Sequence, residues 1–129
     1  VFLFDLDHLD RVNDAYGHMM GDRLIRHFSA LLRSHIRSTD VLARFGGDEF
    51  VVIMRKMGSA DDALKKGEDI CRAVREGRLT ETAPITCTAG VAVCNPGDSI
   101  AAAVEWAEQA LCEAKRGDEG GCRLWRRQS

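Results

Sequence analysis

Two short β-type runs, Val41–Phe45 and Phe50–Met54, are joined directly through Gly46-Gly47-Asp48-Glu49. A connection this short leaves no room for the crossover of about a dozen residues that parallel neighbours require, so the two strands must pair antiparallel. The glycine pair is itself a hairpin signal, because φ > 0 costs glycine little. Whatever else the chain contains, its sheet therefore includes an antiparallel pair and is not doubly wound parallel.

The rest of the chain supplies partners for that hairpin. Residues 1–7 read as an apolar strand ending in two acids, Asp5 and Asp7, followed by a loop through Asn13, Asp14, Tyr16, Gly17 and His18 to Gly21. Leu24, Phe28 and Leu31, with Ile25, Leu32 and Ile36 beside them, recur at the helical period and predict a helix from about Asp22 to Arg37. Ser59 with Asp62 three residues on has capping-box spacing and opens a second helix, which Gly77 ends. Ile85–Cys94 alternates as a strand, closed by Asn95-Pro96-Gly97. Ser99 begins a third helix reaching about Lys115, with Ile100, Val104, Ala107 and Leu111 toward the core, and Cys122–Trp125 forms a last strand. The expected order is β-α-β-β-α-β-α-β: an α/β (α+β) fold with a mixed, mainly antiparallel central sheet and flanking helices, ferredoxin-like or palm-like.

At 129 residues the chain is one domain, residues 1–129. It starts on the buried-strand pattern Val1-Phe2-Leu3-Phe4 without an initiator Met, so it reads as a fragment of a longer polypeptide. A net charge of −2 argues against coating a nucleic-acid polymer or an anionic membrane surface. No apolar run has bilayer length and nothing in this chain directs export, so the domain is expected outside the membrane and in the cytoplasm, although a parent protein could be membrane-anchored. The five cysteines are odd in number and lack C-x-x-C spacing, so they are expected to be reduced core thiols.

Two constellations carry candidate chemistry. Asp5 and Asp7, at i and i+2 of a strand, share one sheet face, and antiparallel pairing would bring Asp48 and Glu49 beside them. Clustered carboxylates without a local cation repel one another unless a metal neutralises them; Mg2+ suits them, because one or two carboxylates plus substrate phosphates commonly hold it. Acids are also frequent at strand ends, and for Asp7 alone that reading carries equal weight. The second constellation is Asn13 and Asp22. By spacing alone Asn13 reads as an Asx turn and Asp22 as a helix N-cap, while functionally an amide and a carboxylate are the groups that recognise a guanine edge.

The run Asp5-Leu6-Asp7-His8, then Asn13-Asp14-Ala15-Tyr16-Gly17-His18, Gly21-Asp22 and Arg44-Phe45-Gly46-Gly47-Asp48-Glu49-Phe50 resembles the GGDEF family of diguanylate cyclases in order and spacing. A weaker match continues through Thr86–Gly90 and Ala107–Lys115. The resemblance implies a nucleotide-cyclase fold that condenses two GTP into cyclic di-GMP and two pyrophosphates, with Mg2+ (or Mn2+) as cofactor and two domains facing each other as a homodimer. It implies Asp5, Asp48 and the Leu6 carbonyl as metal ligands. Asn13 and Asp22 would read guanine, Gly46 and Gly47 would let the backbone approach the triphosphate, Glu49 would be a second acid at the reacting centre, as metal ligand or activator of the attacking hydroxyl, and Lys115 would bind phosphate. Arg37 and Asp40 resemble the family's R-x-x-D site, at which cyclic di-GMP inhibits. Sensory or regulatory domains in a parent chain are implied as well.

The chain also departs from that pattern. Leu9-Asp10 stands where the family commonly has Phe-Lys, Asp118 and Glu119 stand where a Gly-Arg pair is usual, and Cys112 replaces a common tyrosine. Each cation-to-anion swap removes a charge-assisted phosphate contact worth on the order of 1–3 kcal/mol; Arg116 and Arg123 are candidates to compensate. The family's preceding helix and its D-x-L-T-G-L-x-N-R segment are absent. A second reading is therefore a catalytically weak or inactive domain that binds GTP or cyclic di-GMP as a signalling module. A nucleotidyl transferase of related fold with another product ranks below both.

Overall fold

The computed structural model describes residues 1–54, 59–77, 85–117 and 120–126. Its elements are β1 (Phe2–Leu6), α1 (Leu9–Tyr16), α2 (His18–Ser34), β2 (Val41–Arg44), β3 (Glu49–Ile53), α3 (Ala60–Arg75), β4 (Cys87–Val91), α4 (Ile100–Gly117) and β5 (Cys122–Leu124). The five strands form one sheet in the order β2-β3-β1-β4-β5, antiparallel at every pairing except β4–β5. The mixed, mainly antiparallel architecture is the one expected from the hairpin.

Alternation along β1 divides the core in two. Phe2, Phe4 and Leu6 face α2 and α3, where Leu24, Phe28, Leu32, Ile70 and Val74 are buried. Phe28 stands edge-on between Phe4 and Phe50, with ring centroids 6.2 and 5.3 Å apart, a geometry favoured by the ring quadrupoles. Leu3 and Val51 face α4 on the other side, against Ala103, Ala107 and Leu111. That helix presents alanines because it lies close to the sheet: a Cβ on Gly90 would run into the α4 backbone at Ala107 and Leu111.

Several expectations need correction. The segment expected to be a loop before Gly21 contains α1, whose buried Leu9 and Val12 lie three residues apart. Eight residues with two core contacts give too short a periodic signal to stand out among polar neighbours. Gly17, at φ 90°, breaks the chain between α1 and α2. The second helix therefore starts at His18, not Asp22, and ends at Ser34, not Arg37, and Asp22 lies inside it and is no N-cap. The order gains one helix, β-α-α-β-β-α-β-α-β. Ser59 does cap α3, its hydroxyl accepting from the Asp62 N–H at 3.1 Å, and Ser99 likewise accepts from Ala102 at 3.0 Å. Ile100, expected in the core, is 50% exposed because the buried stripe of α4 runs through Ala103, Ala107, Ala110, Leu111 and Ala114. All five cysteines are free, but only Cys71 and Cys87 are buried; Cys94 and Cys112 are exposed and Cys122 is half-buried. No helix among the described residues is long and apolar enough to cross a membrane.

Candidate functional site

Register assembles the acids. In the β1–β3 pairing Asp5 stands opposite Glu49, and the Leu6 N–H donates to the Asp48 carbonyl at 3.1 Å. Asp5 thus meets the consecutive acids Asp48 and Glu49, distant from it in sequence, at one end of two adjacent strands. From the last turn of α4, Lys115 reaches across and bonds the Asp5 carboxylate. The Leu6 side chain is in the core, so this residue has only main-chain atoms to offer a ligand.

The electrostatics of this cluster are costly. Burial, above all, holds the Asp5 carboxyl above its ordinary range; the Lys115 bond pulls it back, and the neighbouring Asp48 charge pushes it up again. Glu49 is raised by burial first and then by Asp5, Glu108 and Asp48. Burial works against the Lys115 ammonium, but the hydrogen bond and attraction of Asp5 outweigh it and hold its proton more tightly than in an ordinary lysine. Asp5 Oδ1 and Glu49 Oε1 are buried acceptors without a hydrogen-bond partner among the described residues. Orphaned, mutually repelling oxygens are what a hard divalent cation satisfies. Among the described residues no three His, Cys, Asp or Glu side chains converge to enclose a metal by themselves. The donor set fits Mg2+, which typically keeps waters and shares substrate phosphates instead of requiring a full protein cage.

Asp7 has a different role from Asp5. It is buried, and its carboxylate accepts from the hydroxyls of Thr86 at 2.7 Å and Thr88 at 2.8 Å. Thr88 in turn accepts from the Gly120 N–H at 2.8 Å. These bonds tie the end of β1 to β4 and to the segment after α4, so Asp7 serves as a structural acid.

The hairpin glycines carry no burden for the fold. Neither Gly46 nor Gly47 has positive φ, contrary to the conformational reason expected for them, and a Cβ on either would meet nothing within 4 Å. Instead Arg44 shapes the loop: its guanidinium donates from Nε to the Gly46 carbonyl at 3.0 Å and from Nη2 to the Gly47 carbonyl at 2.6 Å. The sequence alone assigned Arg44 no role; an Arg two residues before the glycine pair was the signal available.

Asn13, on α1, lies against Gly21 of α2, the residue that precedes Asp22. A Cβ at Gly21 would collide with the Asn13 amide, so glycine lets the two helices close there. Asn13 Oδ1 is a buried acceptor without a partner among the described residues. Asp22 is exposed and lines a cleft of about 520 Å3 with Tyr16, Met19 and Arg26. An amide oxygen and a carboxylate are acceptors, the kind of group that the donors of a guanine edge require.

Arg37 and Asp40 close a local turn. The Arg37 N–H donates to Asp40 Oδ2 at 2.8 Å and the Asp40 N–H to the Arg37 carbonyl at 3.0 Å. They border a cavity of about 270 Å3 with His35, Lys65, Lys66 and Asp69. Asp10 is exposed in the first turn of α1, whereas Asp118 and Glu119 lie outside the described residues. Arg123, a candidate compensating cation, pairs instead with Glu113 at 3.4 Å.

Comparisons with known proteins bear on the family and the fold. A family described as "Diguanylate cyclase, GGDEF domain" matches residues 1–120. Diguanylate cyclase DgcP of Pseudomonas aeruginosa is 34% identical over 121 residues, covering 88% of this chain but 17% of DgcP, so the chain spans about a sixth of that relative. Among solved structures, the active GGEEF domain of a Vibrio cholerae diguanylate cyclase superposes with a TM-score of 0.89 at 29% identity, covering 98% of this chain and 82% of that one. The GGDEF domain of DgcB from Caulobacter crescentus, in complex with c-di-GMP, superposes with a TM-score of 0.84 at 29% identity, covering 95% and 75%.

Proposed function

This chain belongs to the diguanylate cyclase GGDEF-domain family, and we propose that it condenses two GTP molecules into cyclic di-GMP with release of two pyrophosphates. The observation that carries this reading is the strand register that sets Asp5 opposite Glu49 with Asp48 alongside, leaving buried carboxylate oxygens without partners. Mg2+, or Mn2+ in its place, would be held by Asp5, Asp48 and the Leu6 carbonyl; when bound it would neutralise phosphate charge and make a ribose hydroxyl easier to deprotonate. Asn13 and Asp22 accept from the guanine edge, and Lys115 turns from Asp5 toward phosphate. The bare loop at Gly46 and Gly47 lets the triphosphate lie against the backbone. In this reading Glu49 takes the proton as the 3′-hydroxyl of one GTP attacks the α-phosphorus of the other and pyrophosphate leaves. Each domain holds one GTP, so two chains face each other and the step occurs twice. Cyclic di-GMP returning to Arg37 and Asp40 inhibits, and sensory or regulatory domains of a longer parent chain set the pairing.

Incubation of the full-length protein with GTP and Mg2+ should yield cyclic di-GMP and two equivalents of pyrophosphate. A folded, dimeric protein that releases neither overturns the reading. One observation favours the alternative of a weak or inactive binding module: an anion, Asp10, occupies the first turn of α1 where the family commonly has a cation. That alternative requires GTP or cyclic di-GMP to bind without turnover, which calorimetry and product analysis together distinguish.

A further inference from the structure

β1 ends in a clamp of hydrogen bonds. The Asp7 N–H donates to the Thr86 carbonyl at 2.9 Å, and the Asp7 carboxylate accepts from the Thr86 hydroxyl at 2.7 Å and the Thr88 hydroxyl at 2.8 Å. Main chain and side chain of one residue are thus tied to the same neighbouring segment. Asp7 is 4% exposed and Thr88 is fully buried, where an unmade bond would be costly.

The clamp fixes two oxygens of the acid cluster. The first is the Leu6 carbonyl. The Leu6–Asp7 peptide is trans, and across a planar trans peptide the C=O and the N–H point in opposite directions. Because the Asp7 N–H is turned to Thr86 and β4, the Leu6 carbonyl is turned to the other side of β1, where β3 and its acids lie. The Asp48 carbonyl accepts from the Leu6 N–H, but the Asp48 N–H does not return the bond, and no loop N–H among the described residues donates to the Leu6 carbonyl. The second oxygen is Asp5 Oδ1. Thr88 stands opposite Asp5 in the β1–β4 register, yet its one hydroxyl proton goes to Asp7 and its oxygen accepts from the Gly120 N–H. Asp5 Oδ1 stays buried and without a donor among the described residues.

We infer that Asp7, held by Thr86 and Thr88, is a positioning residue for the divalent cation at the acids: it aims the Leu6 carbonyl at the cluster and keeps the Thr88 proton off Asp5. The inference rests on the metal site of the cyclase reading above and deepens it. Asp7 is no ligand and acts through Leu6 and Asp5. Removing a partner that orients a ligand typically lowers metal affinity by roughly tenfold to a hundredfold.

Two measurements on the full-length protein test this: uptake of Mn2+ alone, read from the free-ion signal in electron paramagnetic resonance, and the Mg2+ concentration that gives half-maximal cyclic di-GMP formation. Asp7→Asn keeps the size of the side chain but one acceptor oxygen, and Thr86→Val keeps the backbone carbonyl but no hydroxyl. Each should weaken Mn2+ about tenfold and raise the Mg2+ requirement by a similar factor, with excess Mg2+ restoring the rate. Thr86→Ser retains the hydroxyl and should stay within about twofold of wild type in both. Circular dichroism at the assay temperature verifies folding, and because Thr86 is half-buried, Thr86→Val tests the clamp even where Asp7→Asn does not fold. Variants that melt earlier yet match wild type in Mn2+ uptake and Mg2+ requirement overturn the inference and leave the cyclase reading standing. A Thr86→Ser variant as weak as Thr86→Val also overturns it, since the hydroxyl would then not be the clamp. A wild type that neither takes up Mn2+ nor responds to Mg2+ overturns both.

Discussion

The acid end of the site and the Arg37–Asp40 turn are built in opposite ways. Asp5 meets Glu49 only because two strands distant in sequence pair in one register, and the meeting leaves buried, mutually repelling oxygens. Arg37 meets Asp40 three residues away, through two bonds on the surface. The first arrangement stores an electrostatic cost that a bound cation would relieve, so the proposed function and stability pull against each other there. The second costs the fold almost nothing. Substitutions should divide the two regions accordingly.

The largest effect is expected at the acid end. Asp48→Asn removes one of the two carboxylates proposed to hold the metal, and cyclic di-GMP formation should fall by on the order of a hundredfold or more. A loss of less than a few-fold would mean that Asp48 holds no metal. At the other region, Arg37→Ala should raise the cyclic di-GMP concentration needed for half-inhibition roughly tenfold, the value of one charged contact, and shift stability by no more than about 0.5 kcal/mol, as usual for surface positions. If inhibition persists unchanged, the product does not bind at this turn.

The stored cost itself is measurable as pH dependence. Asp5 and Glu49 are raised from 3.8 and 4.5 in the folded protein. Between those values and the higher folded ones, the native state keeps protons that the unfolded state releases. Their contribution to stability is therefore present at low pH and lost as pH climbs through the folded values. Thermal midpoints with divalent cations chelated should fall across that interval, and Glu49→Gln should flatten the fall. Parallel curves for wild type and variant would show that Glu49 is not strained. The smallest effect is expected at Arg44→Lys, which keeps the charge but gives up the two-pronged hold on the Gly46 and Gly47 carbonyls. Loss of about one hydrogen bond corresponds to a turnover drop of roughly fivefold with the melting temperature nearly unchanged; unaltered turnover would mean that the loop needs no pin.

Most of the architecture was legible in the chain. The Gly46-Gly47 connection dictated an antiparallel hairpin, the periodic apolar residues of α2, α3 and α4 declared themselves, and Ser59 and Ser99 marked two helix starts. Those signals are local: hydrogen bonds and apolar stripes that close within a few residues need no knowledge of the remainder. The motif residues Asp5, Asn13, Asp22, Asp48 and Glu49 were visible as a pattern for the same reason. What stayed hidden depended on distant contacts. Helix α1 exists because Leu9 and Val12 have a core to pack against, and Ile100 is exposed because close approach at Gly90 rotates the alanine stripe of α4 inward. Asp5 and Asp7 look alike in sequence, and only the tertiary structure separated them: Thr86 and Thr88 satisfy one carboxylate, while Lys115, Asp48 and Glu49 crowd the other. A carboxylate's role is set by which partners reach it in space, and those partners arrive from β3, β4 and α4. The amino-acid order thus determined the fold class and the list of chemical groups, whereas sheet register and helix rotation decided which of those groups face one another.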